Sequence, residues 1–351
     1  MGNTSHNLQN TNCINALQNT LDSNAIRLDF LPNPPLNAKF SALINAPHAF
    51  SSIANKEAST RIESARNTIA KQFGKQSALP FSFTSGGFVE LFLQFKKIYF
   101  LPSLHYEIRH ALEIVRPFTT QIALDSSAKI AGCDSAQNDK NTTLILATLI
   151  NEDIFSFNAI PAIRNATLAV DISYALALGL EVPQNADILL INALPLGLPR
   201  DFGLIISDEI RTSTIHKNGV SEAFLGAINE RKAKKFSIDS SLAFFDKLKS
   251  LFGKDIDLFT HDFAPHTLPL RLRHINTRYL IEHLYLDSVF IQPSQNCALG
   301  FVKPSHTLLS LGFSSMQSRE LCAVSFEMLE NMDLVAQKIF ESYKMIRLME
   351  F

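Results

Sequence analysis

Residues 187–206 read DILLINALPLGLPRDFGLII. Two strand-like apolar runs, DILLIN at 187–192 and GLIIS at 203–207, flank a segment of turn character. Three more such runs lie upstream: TLAVDI at 167–172, TLILATL at 143–149 and KIYFL at 97–101. Runs this uniformly apolar, separated by helical or turn-like segments of crossover length, predict a mainly parallel sheet covered on both faces. Further out, Ala58, Ile62, Ala65, Ile69 and Phe73 recur at helical spacing and Gly74 follows as a stop. The stretch FTSGG at 83–87 opens VELFLQF, read as a buried helix, and the polar segment 124–141 reads as a surface excursion. Past residue 220 the character changes to longer amphipathic and basic helices over 221–256. The run NERKAKKF at 229–236 reads as a solvated helix face rather than a binding patch. Residues 257–351 read as a smaller α/β unit, with strands TLPLRLRHI at 267–275 and DSVFIQP at 287–293, a helix near 277–286 and a terminal helix over 332–346. The expected organisation is a polar segment 1–26, a large α/β domain 27–235 and a small α/β domain 236–351. With no internal repeat or low-complexity linker, the two domains are expected to pack closely.

Composition narrows the function classes. A chain of 351 residues more naturally makes two domains than one. Its 32 basic and 33 acidic side chains give no electrostatic footprint for nucleic acid or a membrane surface. The aromatic complement is almost all phenylalanine, 27 residues against no tryptophan, so aromatic packing must be largely Phe on Phe. Cys13, Cys133, Cys297 and Cys322 have no CxxC spacing, which argues against a zinc knuckle or a disulfide scaffold. His261 and His266 in HDFAPH have no metal-motif spacing, so no metal site is expected. There is no phosphate-binding loop, dinucleotide fingerprint or nucleic-acid module. The opening MGNTSHNLQN is polar and unlike a signal peptide, and its likeness to a myristoylation signal is superficial. No run reaches the length of a membrane span, and the expected location is the cytoplasm.

Several segments, in order, resemble the cysteine desulfurases, the NifS-like branch of the class V aminotransferase enzymes. They are FTSGG at 83–87, LINEDIFSFNAI at 149–160, LAVDISYALALG at 168–179, the 187–206 segment, and CALGFVKPSHTLLSLGFSS at 297–315. The resemblance spans roughly residues 27–206 and 269–350. It implies the fold of pyridoxal-phosphate (PLP)-dependent transferases, fold type I and aspartate aminotransferase-like, with a large mainly parallel-sheet domain and a smaller C-terminal α/β domain.

What the resemblance implies for the site is mixed. Ser85, Gly86 and Gly87 match the phosphate-site turn, although a bare SGG is also simply a good turn. The family has a threonine hydroxyl where this chain has Phe88. His105 matches the histidine that stacks on the cofactor ring, with an ordinary loop histidine as the alternative. Asp171 matches the aspartate facing the pyridine nitrogen, with a strand-end polar residue or helix cap as the alternative. Pro195 stands where the family places its Schiff-base lysine, and proline has no side-chain amine. Lys217 lies too far along the chain to be assigned that duty. Glu152, Tyr174 and Ala323 replace an asparagine, a glutamine and a substrate-gripping arginine of the family. Phe88, Leu194 and Pro195 are expected to fill the cofactor's space. Cys297 matches the cysteine that accepts sulfur as a persulfide, with an inert thiol as the alternative. Cys322, in a helix-like apolar run, reads as core.

These residues favour a degenerate, cysteine-desulfurase-like pseudoenzyme that acts as a binding or scaffold module, with no bound PLP expected. The alternatives are a thiol-based sulfur carrier using Cys297 or a PLP enzyme, desulfurase or class V aminotransferase, with its lysine elsewhere. The resemblance further implies a homodimer and, as partner, a desulfurase or a sulfur-acceptor protein.

Overall fold

The computed structural model describes residues 25–44, 52–123, 139, 141–160, 165–209, 219–292 and 304–349. The chain enters through β1 (Ile26–Arg27) and continues into α1 (Ala38–Ile44) and α2 (Ser52–Gln72). It then lays down β2 (Ser77–Ser82), β3 (Lys97–Phe100), β4 (Thr119–Gln121), β5 (Thr143–Thr148), β6 (Thr167–Asp171), β7 (Ile188–Asn192) and β8 (Phe202–Ser207). Between them lie α3 (Ser85–Phe92) after β2, α4 (Tyr106–Ile114) after β3 and α5 (Ser173–Ala177) after β6.

These seven strands form one sheet in the order β2-β8-β7-β6-β5-β3-β4. Every residue of β5, β6 and β7 is buried, as a sheet covered on both faces requires. The pairings among β4, β3, β5, β6 and β7 are parallel, and β8 runs antiparallel to both its neighbours. The exception has a local cause. Residues 193–201 hold only a 3-10 turn, Leu194–Leu196, too short for the crossover that a parallel return needs. The turn ends on Gly197 at φ 74°, where an added Cβ would sit 2.8 Å from the Pro35 carbonyl. Only glycine meets both conditions without strain.

The rest of the chain comprises α6 (Val220–Ala233), α7 (Ile238–Phe252), β9 (Ile256–Leu258), β10 (Thr267–Leu272), α8 (Thr277–Leu286), β11 (Val289–Phe290), α9 (His306–Ser310), α10 (Ser315–Arg319), β12 (Leu321–Ser325) and α11 (Met332–Met349). A three-stranded antiparallel sheet, β12-β10-β9, is backed by α7, and α11 lies across α7 and α8. β1 pairs in parallel with β11, and Asp29 bridges to Ser325. One buried apolar cluster runs from Leu28 to Ile346 and draws on both sheets. Among the described residues, no helix is long and apolar enough to cross a membrane.

Two expectations need correction. The run around Cys322 is the strand β12, not a helix, and all five of its residues are buried. A strand buried on both faces shows no alternation, so its sequence cannot be told from a buried helix by period. The basic run at 229–236 is not simply a solvated face. Arg231 is 6% exposed, with its guanidinium 4.8 Å above the Phe30 ring and an N–H donated to Glu327 at 3.4 Å. Lys234 pairs with the same Glu327 carboxylate.

Candidate functional site

The parallel strands end on one side of the sheet, and the segments leaving β3, β5, β6 and β7 meet there around a cavity of about 300 Å³. Ligands of open α/β sheets bind at that side, near the point where strand order reverses. Here the reversal lies between β3 and β5. The cavity wall carries Phe83, His105, Tyr106, Glu152, Tyr174, Asn192, Leu194 and Pro195, with Pro32, Asn33, Arg200, Asp201 and Gln292 completing it.

Each polar group is held by its local backbone. Glu152 sits in a tight turn whose first residue, Asn151, accepts from the Asp153 and Ile154 amides at 2.9 and 3.1 Å through Oδ1. Phe155 takes a positive φ of 56° to close that turn. Glu152 is 5% exposed, and burial, then Asp171 and Asp153, push its pKa well above the usual carboxylate range. Asp171 ends β6. Its Oδ1 accepts from the Ser173 amide at 2.9 Å and the Ser173 hydroxyl at 2.5 Å, while Oδ2 is buried with no hydrogen-bond partner. Desolvation raises its pKa to about 6. His105 is the N-cap of α4: its Nδ1 accepts from the Glu107 amide at 3.2 Å. Burial holds the ring neutral, with a pKa of about 3, and Phe83 packs on it in a T-shape.

Two amides of the turn at 84–87, those of Ser85 and Gly87, are taken from within the chain. Thr84 caps α3 and accepts from the Gly87 amide. The Ser85 amide donates to the carboxylate of Glu107 at 2.6 Å, so the N-terminus of α3 has an anion supplied by the chain itself. Gly87 has its own structural reason to be glycine, because an added Cβ would lie 2.0 Å from the Ser82 carbonyl oxygen. Phe88 is fully buried among Phe81, Phe83 and Phe92.

The structure therefore brings His105, Glu152, Tyr174, Leu194 and Pro195 to one cavity, while Asp171 does not line it. Ser85, Gly86, Gly87 and Phe88 do not line it. Leu194 and Pro195 form a wall, yet the space stays open, contrary to the expected filling. His105 caps α4, and Asp171 accepts from the Ser173 amide and hydroxyl at the start of α5. Ala323 is buried in β12, where its amide donates to the Gln292 carbonyl. Cys322 is fully buried and its thiol is pushed up to about 12. Cys13, Cys133, Lys217, Cys297 and Lys303 lie outside the described residues. Sequence reasoning missed Glu107, whose signal was an acidic residue in the first turn of a helix. It also missed Asn33, Arg200 and Gln292, which carry no motif and reach the cavity from separate parts of the chain. Among the described residues, no group of acidic, histidine and cysteine side chains is arranged to hold a metal.

This is the fold of type I PLP-dependent enzymes, built on a large, mostly parallel seven-stranded sheet. No model of a known protein family matches the sequence, and no curated protein matches it significantly. Among solved structures, the chain is similar to a cysteine desulfurase from Thermococcus onnurineus, with a TM-score of 0.70 and 12% identity over 93% of this chain and 96% of the other. It is similar to a NifS-like protein from Rickettsia africae, with a TM-score of 0.67 and 15% identity over 92% and 99% of the two chains. A glycine decarboxylase (P-protein) of the glycine cleavage system superposes with a TM-score of 0.68 and 13% identity over 99% of this chain and 91% of that one.

The cofactor implied by this fold can be tested against the residues present. The unpartnered Asp171 Oδ2 suits a protonated ring nitrogen. The Ser85 amide, however, already carries the Glu107 carboxylate, and among the described residues no lysine lines the cavity. The residues do not fit PLP held in the family's manner, by a phosphate at this turn and a lysine on the ring.

Proposed function

We propose that this chain is a desulfurase-like protein that works without a covalent cofactor, as a binding or scaffold module. The observation that carries the reading is the Glu107 carboxylate on the Ser85 amide, taken together with the proline at position 195. Proline stands at the lysine position, and the Glu107 carboxylate takes the turn amide that a phosphate would need. A second anion at that turn would meet the negative charge of Glu107 across a few ångströms, and the unfavourable interaction grows with burial. What remains chemically is recognition: a closed-in cavity with rings, amides and carboxyls converging on it.

The test is the near-ultraviolet and visible spectrum of the full chain purified with added PLP, followed by borohydride reduction and peptide mapping. The expected result is no aldimine absorbance and no reduced adduct. A stoichiometric adduct on one lysine overturns the reading and identifies that lysine.

A further inference from the structure

Glu152 lines the cavity wall and is 5% exposed; burial, Asp171 and Asp153 raise its pKa, and Arg109 lowers it. Burying a carboxyl in this way is costly unless something completes it. An independent deficiency is the buried and unpartnered Oδ2 of Asp171, whose charge acts on Glu152. With Glu152, the cavity wall presents aromatic surface from Phe83, His105, Tyr106 and Tyr174. Rings above a carboxyl floor are the chemistry that recognises organic cations.

We propose that this cavity binds a small protonated amine, with Glu152 as its counter-ion, Asp171 reinforcing the field and the aromatic side chains enclosing the carbon skeleton. The inference rests on the cofactor-free reading of the same cavity and names its ligand class. The volume of about 300 Å³ admits a compact molecule and excludes a peptide. An anionic ligand is disfavoured by the same floor.

The charged groups around Glu152 come from every neighbouring element. Asp153 lies on its own turn and Asp171 at the end of β6, both raising its pKa, and Arg109 on α4 lowers it, favouring the ionised carboxyl. Arg200 and Asp201 share the rim, where Arg200 donates to Asn33 Oδ1 at 3.0 Å. The carboxyls must be ionised to hold a cation, so affinity should rise with pH while the amine itself stays protonated.

The experiment is calorimetric titration of the full chain with benzylamine, benzyl alcohol and benzoate, three probes of one shape and different charge. Benzylamine alone is expected to bind, more tightly by about tenfold or more at about pH 8 than at about pH 5. Glu152→Gln should weaken it by about tenfold or more without lowering the thermal midpoint, since the change removes a buried acid and keeps its shape. Equal binding of benzoate or benzyl alcohol, an unchanged affinity in Glu152→Gln, or no benzylamine binding at millimolar concentration overturns the proposal. The pH series on the unaltered protein decides the matter even if Glu152→Gln does not fold. A lysine adduct with PLP defeats the cofactor-free reading and this inference together. Absence of both adduct and amine binding defeats this inference alone.

Discussion

Glu107 reaches across twenty-two positions of sequence to place its carboxylate on the Ser85 amide, and that contact decides what the α3 N-terminus can accept. Charge-assisted hydrogen bonds of this kind are among the stronger ones. Glu107→Ala is expected to destabilise the protein by about 1–3 kcal/mol, read as a lower urea midpoint. Asp171 makes a second residue-scale prediction, with its sign set by linkage. Its folded pKa, about 6, lies above the ordinary 3.8, so the native state holds the proton more tightly than the unfolded one. Its contribution is therefore full below about pH 4 and is lost as pH rises through about 6. Asp171→Asn, which keeps an oxygen for the Ser173 donors, should gain on the order of 2–3 kcal/mol over the parent at pH 8. The gain should shrink toward pH 4; urea unfolding at the two pH values measures it.

Among the elements, α3 and β12 show how close approach and burial act on a whole segment. α3 starts hard against the end of β2, where Gly87 touches the Ser82 carbonyl. Gly87→Ala must push α3 off the sheet edge, at a cost of about 2–4 kcal/mol despite alanine's better helix propensity. Chemical denaturation checks this directly. β12 pairs with β10 along its full length, and Cys322 sits in the middle with no exposed surface. A thiol pushed up to about 12 is neither ionised nor reachable, so Cys322 should react with an aromatic disulfide reagent only after unfolding. Peptide mapping of the labelled cysteines tests it, and labelling of native Cys322 would contradict the packing described.

At the scale of the whole molecule, one apolar cluster joins the seven-stranded sheet to the three-stranded one, and Glu327 clamps Arg231 and Lys234 across them. Unfolding is accordingly expected to be a single calorimetric transition rather than two. The pH dependence of that transition reflects His105 with the opposite sign to Asp171. Burial lowers the His105 pKa to about 3, so the unfolded chain gains its proton first as pH falls below about 6.5. Stability from this residue is present above that pH and drains away toward about pH 3. His105→Asn retains an N-cap and should flatten the fall in melting temperature between about pH 6 and pH 4.

Five of the seven strands of the large sheet were legible in the amino-acid order, and β2 and β4 were not. The runs at 97–101, 143–149, 167–172, 187–192 and 203–207 each contain a strand; for β5, β6 and β7 the reason is local, because burial on both faces demands uninterrupted apolar residues. The helices at 277–286 and after Met332 were legible for the same kind of reason, a period of about 3.6 along one element, although the last runs on to Met349. Pro195 was also plain, since the absence of an amine needs no coordinates. Other features depended on where distant segments come to rest. The strand character of β12 came from its partner β10, and the burial of Arg231 from Phe30 and Glu327. The occupation of the turn amide by Glu107 and the burial of Glu152 within the field of Asp171 depend on strand order. Only the sheet's topology brings the ends of β3, β5, β6 and β7 together, and a side chain's solvation and charge are set by those neighbours in space, not by neighbours in sequence.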